Sequence, residues 1–251
     1  MGVASEDKAI TLGHPSYIWR FGQERRLALI RRYVSLEKRR ILDIGCGIGA
    51  YVRAFRRYSE DVYGLDIERE RVLRGSQALP NLMAAVSEHL PFKDEVFDVV
   101  LLHEVIEHVT DDHRTIVEAC RILRPGGAIV IYAPNRLYPF ETHGFYLGKR
   151  YIFQLLPLVN WLPDRLRRIF VPHVRAYTTN DIKRLYGALD LTSIIHTYVY
   201  PGFDGIAYRW PALARLMRGV FYFLEASPLR IFGLSHFIVL RKSQAGAGQE
   251  R

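Results

Sequence analysis

ILDIGCGIG, residues 41–49, sets an apolar run immediately before three glycines in five positions. The run, with Asp43 inside it, has the character of a buried strand. Gly45, Gly47 and Gly49 suit a sharp turn into a helix, where the lack of Cβ atoms lets a ligand lie against bare backbone. Such a turn is expected to leave amides open at the helix N-terminus, facing something anionic or carboxylate-bearing. The spacing is GxGxG, not the GxGxxG of dinucleotide-binding turns.

Outward from this stretch, strands and helices alternate. AYVRAFRRY (50–58) reads as a helix, DVYGLDI (61–67) as a strand, ERERVLRGSQAL (68–79) as a helix and NLMAAV (81–86) as a strand. The strand FDVVLLHEV (97–105), the helix DDHRTIVEACRIL (111–123) and the strand GAIVIYAP (127–134) continue the series. Alternation at this pitch predicts a parallel sheet with helices on both faces, and such sheets bind ligands at the carboxyl ends of their strands. Asp66 closes the second strand about 20 residues beyond the glycines, where an acidic side chain can accept both hydroxyls of a ribose. The ligand expected is a nucleoside with a carboxylate end.

The chain has 251 residues, 49% hydrophobic and 24% charged, the composition of a globular protein of one domain. Its start, MGVASEDKAI, has no apolar signal core, and no stretch reaches the roughly 18 apolar residues of a membrane span, so a cytoplasmic protein is expected. Cys46 and Cys120 offer neither a disulfide framework nor a metal-ligand spacing. Nor do carboxylates cluster in a way that announces a cation site, so no metal is expected. The charge is uneven. Residues 1–135 hold 19 Lys/Arg and 19 Asp/Glu, and residues 136–251 hold 16 and 7, so the whole formal +9 lies in the second half. That excess permits an anionic partner such as a membrane surface, a nucleic acid or a phosphorylated substrate.

Five stretches in order carry a resemblance: ILDIGCGIG, YGLDI (63–67), SEHLPFKDEVFDVV (87–100), HEVIEHV (103–109) and LRPGGAIVIYAPN (123–135). On them the chain resembles the class I S-adenosylmethionine-dependent methyltransferases, the broad group that includes small-molecule and quinone O-methyltransferases. The resemblance implies a Rossmann-like α/β fold with seven strands, mostly parallel, the last, SHFIVLRK (235–242), antiparallel. It implies S-adenosyl-L-methionine as cofactor, with Gly45, Cys46, Gly47 and Gly49 around its methionine end, Asp43 supporting that end, and Asp66 on the ribose. Ile67 would pack on the adenine, Ser87 and Glu88 would line its edge, and His103 would lie beneath the sulfonium. Where the group often has Asp in the adenine loop, this chain has Val86.

A sulfonium is already an activated methyl donor, so the protein contributes mainly position. A hydroxyl acceptor must also lose its proton, because a phenol near pKa ~10 is a poor nucleophile at neutral pH. The candidate catalytic residues are His143 in FETHGFY, then His173 in PHVRAYT, both in the segment where this group builds its acceptor site. The single domain divides into a helical lead-in (1–40), a cofactor-binding half (41–135), a lid-like insertion (136–175), a C-terminal half (176–242) with a helical insertion at 201–234, and a tail (243–251). In PALARLMRGVFYFLEAS (211–227), Leu213, Leu216, Met217, Val220, Phe221 and Leu224 share one helical face, with Arg215, Arg218 and Tyr222 opposite. Its two readings are a helix packed on the domain and an interfacial helix that meets a membrane or a lipid-like acceptor. On the second, Arg165, Arg167, Arg168, Arg215 and Arg218 would supply the attraction. The expected partner is a small-molecule or lipid-linked acceptor. A nucleic-acid methyltransferase is the lesser reading. Enzymes acting on base amines usually carry Asn or Asp, two prolines and an aromatic after the fourth strand, whereas this chain has His103-Glu104-Val105. A non-catalytic cofactor-binding protein is the third.

Overall fold

The computed structural model describes residues 19–244. Seven strands form the central sheet: β1 (Ile41–Ile44), β2 (Val62–Asp66), β3 (Leu82–Ala84), β4 (Phe97–His103), β5 (Leu123–Pro134), β10 (Leu191–Val199) and β11 (Ser235–Lys242). Their order is β10-β11-β5-β4-β1-β2-β3. Neighbours from β5 to β3 run parallel, and β11 runs antiparallel to both β5 and β10. β1 lies between β2 and β4, and chain order reverses beside it, which puts its carboxyl end at the switch point where α/β sheets bind ligands. All four residues of β1 are buried, as a strand covered on both faces requires.

Helices α1 (Phe21–Tyr33), α2 (Ala50–Phe55), α3 (Arg69–Ser76), α4 (Asp112–Ile122) and α6 (Thr179–Tyr186) belong to the layers on this sheet. One core gathers Leu42, Ile44, Val100 and Leu102 with Ile116 and Ile122 of α4 and Ile182 of α6. The other gathers Ile41, Val99, Leu101 and Val130 with Leu27 and Ile30 of α1 and Val52 and Phe55 of α2. The alternating sides of the same strands thus feed two apolar layers. Asp111 caps α4 by accepting from the Arg114 amide, and Thr178 and Asp181 form a reciprocal capping box on α6.

The insertion at 136–175 folds as small pieces, not as extended helix. β6 (Phe140–Glu141) pairs with β9 (Leu156–Pro157), β7 (Phe145–Leu147) pairs with β8 (Arg150–Ile152), and α5 (Asp164–Phe170) follows. It keeps a small core of Val159, Val171 and Val174. The second insertion forms α7 (Asp204–Arg209), which the sequence pattern did not announce, and α8 (Pro211–Leu224).

α8 turns only part of its apolar face inward: Met217, Phe221 and Leu224 are half-buried, Phe221 against the rings of Tyr200 and Phe203. Arg218 stacks over Phe21 of α1, 3.9 Å from the ring centroid, and donates to Gly202 O and Asp204, while Arg25 of α1 stacks over Tyr222 and pairs with Glu225. Leu213, Leu216, Val220 and Phe223 stay exposed, Phe223 by 76%. The guanidinium–aromatic stacks with α1 join the Phe221 contacts in holding this helix down. Arg167 is likewise buried in α5, so Arg167 and Arg218 leave the set of surface arginines, and Arg165, Arg168 and Arg215 remain in it.

Candidate active site

The turn after β1 winds through left-handed backbone at all three glycines, with φ of +73° at Gly45, +57° at Gly47 and +87° at Gly49. Space demands glycine as much as conformation does, since a Cβ at Gly45 would lie 2.4 Å from Val105 Cγ2. The loop after β4 therefore packs directly on the turn. The amides, however, are not left open as expected. Gly45 and Cys46 donate to Leu65 O, Gly47 donates to Asp66 Oδ2 (2.8 Å), and Gly49 donates to Cys46 O. The end of β2 lies close enough to absorb them, so the turn offers clearance and carboxylates more than an anion cradle.

Those carboxylates differ. Asp66 accepts the Gly47 amide on one oxygen and the Glu68 amide on the other. Asp43, 2% exposed, has no hydrogen-bond partner among the described residues, and burial with the nearby Asp66 charge pushes its pKa well above the carboxylate range. Beside them, Ile67 is 71% exposed. An orphan buried carboxylate, a turn clear of side chains and an uncovered apolar side chain fit a ligand bearing an ammonium group, a ribose diol and an aromatic base. Cys46 is buried, and burial raises its thiol far above its usual pKa, which suits a packing residue and not a nucleophile.

Ser87 and Glu88 turn toward α4. Ser87 Oγ meets Glu88 and Thr115, and Glu88 accepts from the Thr110 and Asp111 amides at the start of α4. Both side chains thus shape the loop after β3.

His103 ends β4 between the rings of Tyr51 and Tyr132. Arg26 of α1, which nothing in the motif pattern singled out, donates from Nη1 to His103 Nε2 (2.6 Å) and to Glu104 (3.0 Å), and from Nη2 to Ser235 Oγ (3.0 Å). A guanidinium only donates, so His103 Nε2 is unprotonated there. Burial, with the Arg26 charge, lowers the pKa of His103 to about 3. Burial opposes the charge of Glu104, yet Arg26, the neighbouring histidines and the Ser235 hydroxyl together outweigh it and hold that carboxylate at about 2. Glu104 adopts φ +55°, an uncommon conformation for a residue with a side chain, in the loop that meets the glycine turn.

The insertion supplies the other side. Glu141, 2% exposed, accepts on Oε1 from the Thr142 and His143 amides and from His143 Nδ1 (2.9 Å), and on Oε2 from Arg167 Nη2 (2.7 Å). Burial works against its charge, but these partners hold its pKa at about 2. Arg167 is fully engaged, with Nε on Asn160 Oδ1 and Nη1 on Val174 O. With Nδ1–H fixed on a carboxylate, the neutral His143 ring carries its lone pair on Nε2. His143 lies against the loop after β4, its ring centroid 5.5 Å from that of His108. His173 sits one step outward among Tyr146 and Tyr151, its Nε2 3.3 Å from His143 O, so it holds the backbone of His143 in place. The returning strand clamps the same loop: Tyr177 Oη donates to Ile106 O, and Arg175 donates to the carbonyls of Glu107, Val109 and Thr110.

Comparison with known proteins agrees with this geometry. Residues 42–131 match a methyltransferase domain model. A ubiquinone biosynthesis O-methyltransferase of Mesorhizobium japonicum is 30% identical over 198 residues, an alignment covering 76% of this chain and 72% of that one. A relative of the same name from Coxiella burnetii is 28% identical over 138 residues, and there the chain spans only 58% of the relative's length. Among solved structures, an S-adenosylmethionine-dependent methyltransferase of Mesorhizobium loti superposes with a TM-score of 0.61 at 19% identity, covering 86% of this chain and 96% of that one. With the glycine turn, the two acidic strand ends and this strand order in place, the chain belongs to the class I S-adenosylmethionine-dependent methyltransferases.

Proposed function

We propose that this chain transfers a methyl group from S-adenosylmethionine to a hydroxyl of a small or lipid-linked molecule. The observation that carries the reading is the pair of dissimilar carboxylates around one glycine turn, Asp66 held by two amides and Asp43 buried without a partner. Each Asp66 oxygen keeps a second lone pair for a ribose hydroxyl. An ammonium beside Asp43 would offset the burial of its charge, and Ile67 offers the base an apolar face. Bound there, the cofactor supplies a methyl carbon already activated on a sulfonium. The residues of the chain then act by position and electrostatics. Burial, with Arg26 donating to Nε2, keeps His103 uncharged, and Glu104 balances the charge of Arg26. His143, locked by Glu141 with its lone pair on Nε2, is the group we assign to the acceptor hydroxyl.

The names of the relatives agree with an oxygen acceptor bearing apolar bulk. Incubating the protein with methyl-labelled S-adenosylmethionine and cell extract, then separating lipid, small-molecule and nucleic-acid fractions, tests this reading. Label is expected in the lipid or small-molecule fraction and lost in His143→Ala. Label in RNA overturns the acceptor, and tight cofactor binding with label in no fraction overturns catalysis.

The outward face of α8 favours a membrane surface as the place where a lipid-linked acceptor is met. No helix of the described residues is long and apolar enough to cross a membrane. Leu216, Val220 and Phe223 are nonetheless exposed together, next to Trp210 (64% exposed) and Tyr208 (93% exposed), with exposed Arg209 and Arg215 interleaved. Apolar side chains flanked by arginine suit the boundary of an anionic bilayer. Sedimentation with anionic liposomes should carry wild type down and leave Leu216→Ser/Phe223→Ser in the supernatant. Wild type that stays in solution at low salt ends this reading.

A further inference from the structure

We infer that the Tyr51 hydroxyl binds the carboxylate at the methionine end of S-adenosylmethionine, while Asp43 takes the ammonium on the same carbon. Tyr51 stands in the first turn of α2, two residues beyond Gly49, and is 6% exposed. Its ring packs edge-on against Trp19, with centroids 5.0 Å apart, and lies 4.7 Å from the ring of His103 at the end of β4. The hydroxyl at its tip is buried and has no hydrogen-bond partner. Two other buried tyrosines at this end of the sheet differ: Tyr132 donates to Arg26 O (3.1 Å) and Tyr177 to Ile106 O (2.8 Å). A buried phenol left without a partner costs stability unless a ligand completes it.

The surroundings say which ligand group that is. A carboxylate brought to the glycine turn needs donors, and the turn has engaged its own, since the amides of Gly45, Cys46, Gly47 and Gly49 are bonded to Leu65 O, Asp66 and Cys46 O. Arg26 is likewise committed to His103, Glu104 and Ser235. The Tyr51 O–H is uncommitted. Burial pushes its pKa up, so it keeps its proton and can donate, and the charges of Arg26, Asp43 and Glu104 all act on it. Asp43, equally without a partner, has the wrong sign for a carboxylate and the right one for an ammonium. An α-amino acid end therefore meets one free donor and one free acceptor. Phenylalanine at position 51 would fill the same space between Trp19 and His103, so packing alone does not call for the hydroxyl. The inference rests on the reading of the glycine turn as the cofactor site.

The test compares wild type with Tyr51→Phe in calorimetric titrations of the full chain. The ligands are S-adenosylmethionine, its decarboxylated analogue, which keeps the sulfonium and the ammonium, and 5′-methylthioadenosine, which lacks the amino-acid end. Tyr51→Phe should weaken binding of S-adenosylmethionine by about tenfold or more and change the other two by less than about twofold. Asp43→Asn should weaken both ligands that carry the ammonium and spare 5′-methylthioadenosine. The unfolding temperature of ligand-free Tyr51→Phe should equal or exceed that of wild type, because the missing hydroxyl had no partner to lose. Three results overturn the inference while wild type still binds the cofactor: equal losses for S-adenosylmethionine and its decarboxylated analogue, no loss for either, or a lower unfolding temperature. Wild type that binds none of the three ligands, or Asp43→Asn that binds all three as wild type does, overturns the reading of the turn beneath it.

Discussion

Two pairs of buried carboxylates border the site, one pair at the glycine turn and one where the insertion meets the loop after β4, and in each pair one member takes several donors and the other takes none among the described residues. In the cofactor-binding half Asp66 takes two backbone amides and Asp43 takes none. At the insertion Glu141 takes two amides, an imidazole and a guanidinium, while Glu107 takes no donor on either oxygen among the described residues and lies against Glu104. The satisfied member of each pair holds its loop in shape. The halves differ in how the satisfied member is built. Asp66 draws on amides of its own strand end and the adjoining turn, whereas Glu141 depends on Arg167, 26 residues away in the chain. The first half is therefore shaped by local geometry and the second by one buried ion pair.

The largest effect should come from that pair. Both Arg167 and Glu141 side chains are under 5% exposed, and removing one partner of a buried pair leaves an uncompensated charge worth about 3–5 kcal/mol. Arg167→Ala should accordingly expose the insertion to limited proteolysis within residues 136–175 and lower the unfolding midpoint. A variant as resistant as wild type would show that the acceptor half does not hang on this contact.

Next comes Asp66→Asn, which disturbs amides in the turn and removes an acceptor for the ribose. It should weaken S-adenosylmethionine binding by about 1–3 kcal/mol in calorimetry. Asp43→Asn should also weaken the cofactor, but because Asp43 has no partner to lose, the unfolding temperature of the free protein should hold or rise. A drop equal to that of Asp66→Asn would break the distinction between paired and orphan carboxylates.

Acid sharpens the same distinction, since the two acceptor-half carboxylates titrate in opposite senses. Glu141 has its pKa lowered from 4.5 to about 2, so its contribution is present above 4.5 and lost as pH falls toward 2. Glu107 has its pKa raised by burial and by Glu104, so its protonated form contributes below 4.5 and that contribution fades as pH climbs through the raised value. Denaturant titrations across pH should show the gap between wild type and Glu141→Gln closing toward acid, and Glu107→Gln overtaking wild type toward neutrality. Parallel pH profiles for the two variants would contradict the pairing scheme.

The smallest expected effect is at Ile67. It is 71% exposed, so Ile67→Ala should leave the stability of the free protein within about 0.5 kcal/mol. If it covers the adenine as proposed, the same change should raise the cofactor Kd by roughly tenfold.

The cofactor half was legible because its signals are local. An apolar run, three glycines at fixed spacing and an acidic residue at the next strand end lie within 26 residues, and each constrains its own backbone. The strand FDVVLLHEV (97–105) and the helix DDHRTIVEACRIL (111–123) matched β4 and α4 to within two residues for the same reason. His143 was visible as a candidate from its position in the variable segment. Its partners were not, because Glu141 beside it reads as any loop acid until Arg167 is folded against it. Arg26 was hidden among the many arginines of the lead-in helix, and only the packing of α1 across the ends of β4 and β11 brings it to His103, Glu104 and Ser235.

α8 makes the same point in reverse. Its periodicity was plain, but periodicity gives two faces and not which one turns inward. Phe21, Arg25, Tyr222 and Phe221 settle that by stacking, and Leu213, Leu216 and Val220 are left outside. The sequence by itself determined the alternation of strands and helices, the turn and the place of Asp43 and Asp66 beside it, because hydrophobic period and glycine conformation act over a few residues. The meeting of Glu107 and His108 with His143, the Arg167 latch and the outward face of α8 were decided only in the tertiary structure, because each depends on which distant surfaces exclude water from one another.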